Sequence, residues 1–145
     1  MTLVLGPIEP SRLENQSILF SAMERGDYDN VLELILIYHK TMWHSNIHFR
    51  FSFYTQDILQ RIMNGNNHDA NDGVATIKHM RHVMQDMMKD KEKRNEIENI
   101  ALLVMLENPK ESCMGYLLEK NEREKGQQRI HQMILQANGL ETGTN

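Results

Sequence analysis

Apolar residues recur at helical spacing along most of this chain, and each recurrence ends at a residue that breaks helices. Leu19, Ala22 and Met23 share one helical face, and Gly26 follows them where a helix can end. The dense apolar run VLELILIY begins soon afterwards, behind acidic residues that can cap a helix. Residues 17–35 are therefore predicted to form two helices joined by a tight turn, an αα-hairpin.

The second half of the chain carries the same pattern in longer segments. Helices are predicted over residues 74–90 and 97–108, because apolar side chains return every three or four positions in both. Two further amphipathic segments, 111–123 and 127–138, are separated by Gly126. These segments indicate that helix packing, rather than sheet formation, organises the fold.

The predicted fold class is mainly α, a compact single-domain bundle of about six helices. Residues 1–139 are expected to form this single helical domain, and residues 140–145 are expected to be a disordered tail. A chain of 145 residues has the length of one domain and can bury a core without disulfides.

One stretch departs from helical spacing. In NIHFRFSFYT (46–55) apolar and polar residues alternate strictly, and three of the four Phe residues fall within five positions. A period of two predicts a half-buried strand over residues 47–53. Its one plausible partner is TLVL at residues 2–5, so the bundle should contain at most a short two-stranded ribbon. The Phe side chains are expected inside, with His48 and Arg50 facing outward.

Composition restricts the partners and the compartment. The chain has 16 Lys and Arg against 20 Asp and Glu, with a net charge of −4, which argues against a generally basic binding surface. Its single cysteine, Cys113, excludes an internal disulfide and a cysteine-rich zinc site. Without a signal peptide or an apolar run of about 18 residues, we expect an intracellular protein, cytoplasmic or nuclear, with no membrane span.

Motifs that would indicate catalysis or a cofactor are lacking. The chain contains no nucleophile elbow, no phosphate-binding loop and no dinucleotide fingerprint. His79 and His82 are three residues apart on a predicted helix, with Asp86 one turn further, so these side chains could reach one metal ion. Histidines on the flanks of an amphipathic helix are more often structural. We therefore expect no cofactor and no enzymatic activity, and a His/Asp metal-dependent enzyme is an alternative.

The function expected from these patterns is non-enzymatic protein–protein interaction, as an adaptor, a regulator or a self-assembling protein. The chain has 11 methionines, whose flexible side chains suit adaptable interfaces. Helices 74–90 and 111–138 should carry the surface, and the partner is another protein or a second copy in a homo-oligomer. The alternative is that the methionines fill the interior. The residues assigned to binding are Met80, Met84, Met87, Met88, Tyr116 and Met133.

A nucleic-acid-binding regulator is the alternative from another functional class. Aromatic residues that stack on bases and cations that contact phosphate lie near one another in HFRFSFY, and KHMRH adds further cations. Burial of the Phe side chains is the favoured interpretation, so nucleic acid is not the preferred partner. The residues of this alternative are His48, Arg50, Lys78 and Arg81.

Overall fold

A computed structural model of the chain describes residues 12–65, 70–106 and 108–137. The α-helices in chain order are α1 (Arg12–Glu24), α2 (Tyr28–Tyr38), α3 (Lys40–Ser45), α4 (Ile47–Asn64), α5 (Ala70–Val83), α6 (Lys91–Met105) and α7 (Lys120–Ala137). Short 3₁₀ turns lie at Gln85–Lys89, Pro109–Glu111 and Gly115–Leu118. These described ranges contain no β-strand, which confirms the predicted mainly α fold class. The candidate strand at 2–5 and the tail at 140–145 lie outside them.

The chain divides into two compact units, Met1–Lys40 and Thr41–Asn145. In the first unit, α1 and α2 form the αα-hairpin predicted from the sequence. Gly26 occupies the turn with φ 76°, which glycine adopts without strain. Asp27 caps α2, because its carboxylate accepts a hydrogen bond at 3.4 Å from a main-chain N–H of the first turn. The single helical domain over residues 1–139 stays a prediction.

Residues 47–53, predicted as a strand, form the first two turns of α4, so that prediction is wrong. Asn46 starts this helix, since its side-chain oxygen accepts a hydrogen bond from the Phe49 N–H at 3.1 Å. The helix packs against α5, α6, α7 and the Gly115–Leu118 turn. With neighbours on several sides, α4 is the central helix of the second unit.

The strand-like alternation arises because α4 is buried on two opposite faces. Successive helical residues are about 100° apart, so Phe51 points about 160° away from Phe49 and Phe53. Phe49 and Phe53 meet the ring of Trp43 edge-on, with ring centroids 6.0 and 5.4 Å apart. Phe51 instead joins a core cluster with Ile58. All three Phe side chains are buried, as expected, but by a helix rather than a strand.

Methionine side chains fill much of the second unit's core. Met80, Met84 and Met87 are at most 2% exposed, although the sequence assigned them to a binding surface. The physical reason is that their stripe along α5 and the following turn faces α4 and α6. The aliphatic side chains that pack with them from α6 are Ile97, Ile100 and Leu103.

Three predicted helix boundaries are corrected. The helix predicted over 74–90 ends early, because residues Gln85–Lys89 tighten into a 3₁₀ turn. Much of 111–123 consists of turns rather than helix. Gly126 breaks no helix and lies buried inside α7. Its missing Cβ makes room for the side-chain amide of Gln56, so close approach of α4 to α7 explains this glycine.

Candidate functional site

An apolar groove lies between α5 and α6 in the second unit. It encloses about 600 Å³ and is open to solvent along one side. This volume is within the range of sites that bind drug-sized ligands or a row of partner side chains. Its apolar walls are formed by Ile77, Met80, Met84, Met88, Ile97, Ala101 and Met105.

The groove exists because two short helices pack side by side through a tight connection. The Gln85–Lys89 turn reverses the chain between α5 and α6. A Cβ added to Gly73 would lie 3.6 Å from the carbonyl oxygen of Val104, so the start of α5 is beside the end of α6. The helices are therefore antiparallel and present two parallel rows of side chains to solvent.

An outer row of side chains runs along α5 and continues into the Gln85–Lys89 turn. Val74, Ile77, Arg81, Met84 and Met88 follow one another at intervals of three and four residues. Met84 is buried and forms the floor, whereas Val74, three residues before Ile77, is 52% exposed. Such a row normally packs against another helix, and its outer members are not covered within the described residues.

On α6 the facing row is more exposed still. Met105 lines the groove and is 73% exposed. Leu102 is 57% exposed and lies beside the groove, one helical turn after Glu98 and next to Ala101. Single exposed apolar residues are common on protein surfaces, but a contiguous group beside a groove is typical of interaction sites.

Charged side chains form the two edges of the groove. Arg81 and His82 lie on the α5 edge, and Glu98 lies on the α6 edge. All three are exposed, and within the described residues none of them forms a hydrogen bond or an ion pair. The groove therefore offers apolar walls between a basic edge and an acidic edge, which is an arrangement that can orient a dipolar partner.

The six residues assigned to protein binding do not form one surface. Met80 and Met84 are the floor of the groove and Met88 is part of its edge, while Met87 is buried in the core. Tyr116 is 48% exposed in the Gly115–Leu118 turn, and Met133 lines a separate recess on α7.

Sequence reasoning missed the α6 side of the groove, although the sequence of α6 contains a pattern that indicates an exposed apolar surface. The run IENIALLVMLEN is apolar on more of its circumference than one buried face requires. Leu102 and Met105 are the surplus, since Ile97, Ile100 and Leu103 already supply the core face and Ala101 packs against it. All six residues belong to α6.

Arg50, the central cation of the nucleic-acid alternative, is engaged inside the protein. Its guanidinium donates hydrogen bonds to the carbonyl oxygens of Trp43 at 2.6 Å and His44 at 3.1 Å, at the end of α3. It also pairs with Asp86 at 3.4 Å. A cation at a helix C-terminus is favourable because it satisfies free carbonyls and the helix dipole. The prediction that Arg50 faces outward is thus corrected, while His48, Lys78 and Arg81 are exposed.

The proposed metal ligands are directed to different partners. His79 Nε2 lies 3.1 Å from Asp57 Oδ2 on α4, His82 lines the groove, and Asp86 pairs with Arg50. Among the described residues no group of three His, Cys, Asp or Glu side chains is placed to hold a metal ion. The metal site proposed from helical spacing is therefore not assembled, since the three side chains diverge around α5 and the following turn.

A polar cluster centred on the buried Asp57 connects α4 to α5, and the side chains of Arg61 and His79 in it are partly exposed. The Asp57 side chain is 9% exposed and also pairs with Arg61 Nε at 3.2 Å. Burial raises the pKa of the nearby Tyr54 hydroxyl above its ordinary value, and the charge of Asp57 adds to this shift. The cluster was not anticipated, because nothing in TQDILQ distinguishes a buried aspartate.

Replacing Asp57 by asparagine is expected to lower the free energy of unfolding by about 1–1.5 kcal/mol, because it weakens two charge-assisted contacts. Urea denaturation measures this. The matched control is Asp86→Asn. The Asp86 side chain is 58% exposed, so its pair with Arg50 should contribute less than about 1 kcal/mol to the free energy of unfolding. A larger loss from Asp86→Asn than from Asp57→Asn would contradict the structural importance of the buried cluster.

Comparisons with protein-family models, with curated proteins and with solved structures find no match to this chain. No described helix is both long and apolar enough to cross a membrane.

Proposed function

We propose that this chain is a protein-binding module that holds an amphipathic helix of a partner protein in the α5–α6 groove. The observation that carries the proposal is the set of apolar walls of that groove, with Met105 73% exposed at its edge. Binding a helix in a groove requires a row of apolar anchors at intervals of three and four residues on both sides. Ile77, Met80, Met84 and Met88 have this spacing along α5 and the Gln85–Lys89 turn.

The methionines support an adaptable site. Met80, Met84, Met88 and Met105 line the groove, and unbranched thioether side chains change shape to fit different apolar partners. The sequence-based assignment of binding is retained for Met80, Met84 and Met88, and Met105 is added to it. It is withdrawn for Met87, which is buried away from the groove.

The charges at the edges specify the partner's chemistry. The occupant is a helix with an apolar stripe, acidic residues on the flank beside Arg81 and His82, and basic residues on the flank beside Glu98. Apolar contacts supply most of the affinity in such a complex, whereas the flanking charges set the register and the orientation.

The test uses a fluorescent designed peptide of about 18 residues, or five helical turns, with this stripe and these flanks. Fluorescence anisotropy should show saturable binding to the full chain. Met105→Glu should weaken binding at least about tenfold, equivalent to about 1.4 kcal/mol, because a carboxylate loses hydration in an apolar groove.

Two controls make the result specific. Ile37→Glu changes an equally accessible apolar residue, 66% exposed on α2, and should leave the affinity unchanged. A peptide of the same composition without the stripe should not bind saturably. Equal losses from the two variants, or equal binding of the two peptides, would refute the proposal. If the protein self-associates and Met105→Glu abolishes this self-association, the occupant of the groove is a second copy of the chain. That result would overturn the assignment of the groove to a helix of a different protein.

A further inference from the structure

A second, polar cavity lies between α4, α6 and α7, away from the groove. It encloses about 260 Å³. Since water takes up about 30 Å³ per molecule, a ligand of roughly eight non-hydrogen atoms would fill it. Phe51 supplies an apolar wall, and the other side chains that line it are polar: Ser52, Thr55, Gln56, Glu96 and Arg129.

Two neighbouring polar side chains in the wall of the cavity have no hydrogen-bond partner within the described residues. Gln56 is 5% exposed, and its amide makes no hydrogen bond within the described residues. The Thr55 hydroxyl oxygen is buried and also has no hydrogen-bond partner. Buried polar groups in native proteins are nearly always hydrogen-bonded, so the Thr55 hydroxyl and the adjacent Gln56 amide favour a cavity occupant that supplies partners.

Gly126 lets Gln56 take its place in the wall of this cavity. Any Cβ at this position would overlap the side-chain amide of Gln56, whereas glycine lets that amide lie against α7. A glycine costs stability in the middle of a helix, so its presence inside α7 is consistent with a local packing requirement.

Opposite charges face the cavity without contacting each other. Glu96 is on α6 and Arg129 is on α7, and neither forms an ion pair within the described residues. A lone anion would be attracted by Arg129 but repelled by Glu96. A lone cation would be attracted by Glu96 but repelled by Arg129. A molecule that carries both charges satisfies both side chains at once.

We infer that this cavity binds a small zwitterion of the amino-acid class. Its carboxylate accepts hydrogen bonds from Arg129, its ammonium group donates to Glu96, and its polar atoms satisfy Gln56 and Thr55. The site is separate from the α5–α6 groove, so binding here neither requires nor excludes the proposed helix partner.

The test titrates the full, isotope-labelled chain with glycine, β-alanine and γ-aminobutyrate, and follows backbone amide signals by NMR. At least one of the three should produce saturable shifts centred on residues 52–56, 96 and 126–129. Acetate and ethylammonium each carry only one of the two charges, and each should bind at least about tenfold more weakly. If no zwitterion saturates the site, or if these single-charge ions bind as well, the inference is wrong.

Charge-removing variants assign the contacts. Glu96→Gln and Arg129→Gln should each lower the zwitterion affinity at least about tenfold. Glu92→Gln and Lys120→Gln, exposed on the same two helices and outside the cavity lining, should not change it. Equal losses from the controls would mean a general charge effect and would overturn the site.

Thr55→Val distinguishes a ligand-binding role of the hydroxyl from a structural role, because thermal stability and zwitterion affinity should change in opposite directions. It removes a buried hydroxyl without a partner, so the ligand-free protein should unfold a few degrees higher. The same change should weaken zwitterion binding, because the ligand loses a hydrogen-bond partner. A variant with lower thermal stability and unchanged affinity would contradict the inference.

Discussion

Phe53→Ala is expected to lower the free energy of unfolding by about 3–5 kcal/mol, the largest loss of any substitution considered for this chain. Phe53 is 1% exposed. Its ring meets those of Trp43 and Tyr54 edge-on, with 5.4 Å between centroids in both pairs. Truncation removes these aromatic contacts and leaves a cavity that a rigid central helix cannot close.

Chemical denaturation followed by tryptophan fluorescence measures this loss. Trp43 is the single tryptophan of the chain and contacts Phe53, so its emission reports on the packing directly. His48→Ala on the exposed side of the same helix is the control, with an expected change within about 0.5 kcal/mol. A Phe53→Ala loss below about 1 kcal/mol would contradict the burial of α4 on two faces.

Gly115→Ala is expected to destabilise the protein by about 2–3 kcal/mol, because main-chain atoms obstruct the new methyl group. A Cβ at this buried position would lie 2.6 Å from the carbonyl carbon of Lys110 and 2.9 Å from the carbonyl oxygen of Pro109. Main-chain atoms in two successive 3₁₀ turns cannot rotate away as a side chain can, so the turns must shift.

Gly73→Ala is the matched control for this prediction. Its added Cβ would make an ordinary contact, 3.6 Å from the Val104 carbonyl oxygen, within helix α5. Alanine is favoured over glycine in a helix, so a gain of about 0.5–1 kcal/mol is expected. Thermal unfolding of both variants should therefore show midpoint shifts of opposite sign. An unchanged or higher midpoint for Gly115→Ala would contradict the close packing around Gly115.

The sequence predicts the helical elements well where local chemistry determines them. Gly26 and Asp27 together define the turn and the cap of the αα-hairpin, and both act as expected. The mainly α fold class follows from the same kind of local signal. Gly126 was misread because a glycine required by close helix packing looks the same in sequence as a glycine that ends a helix.

The strand predicted over 47–53 shows where periodicity is misleading. A period of two indicates a strand when one face is buried, but a helix buried on opposite faces produces the same alternation over seven residues. The distinction depends on the neighbours of α4, which are distant in sequence. Asn46 as a helix cap was the local signal that could have corrected the prediction.

The candidate sites were only partly predictable. The periodic stripe on α5 identified Met80 and Met84, but periodicity alone does not distinguish a core floor from a surface. Asp57, Thr55 and Gln56 gave no sequence signal, because their significance comes from burial next to other helices. Arg50 was misplaced for the same reason, since its partners are carbonyls of α3 and a carboxylate beyond α5.

NMR of methionine methyl groups tests helix binding in the α5–α6 groove most directly. The methyl signals report on individual sites among the 11 methionines of the full chain. Addition of the designed amphipathic peptide should shift the signals of Met84, Met88 and Met105, which line the groove, and leave that of Met133 on α7 unchanged. Unchanged groove signals at saturating peptide, or an equal shift of Met133, would contradict the proposed function.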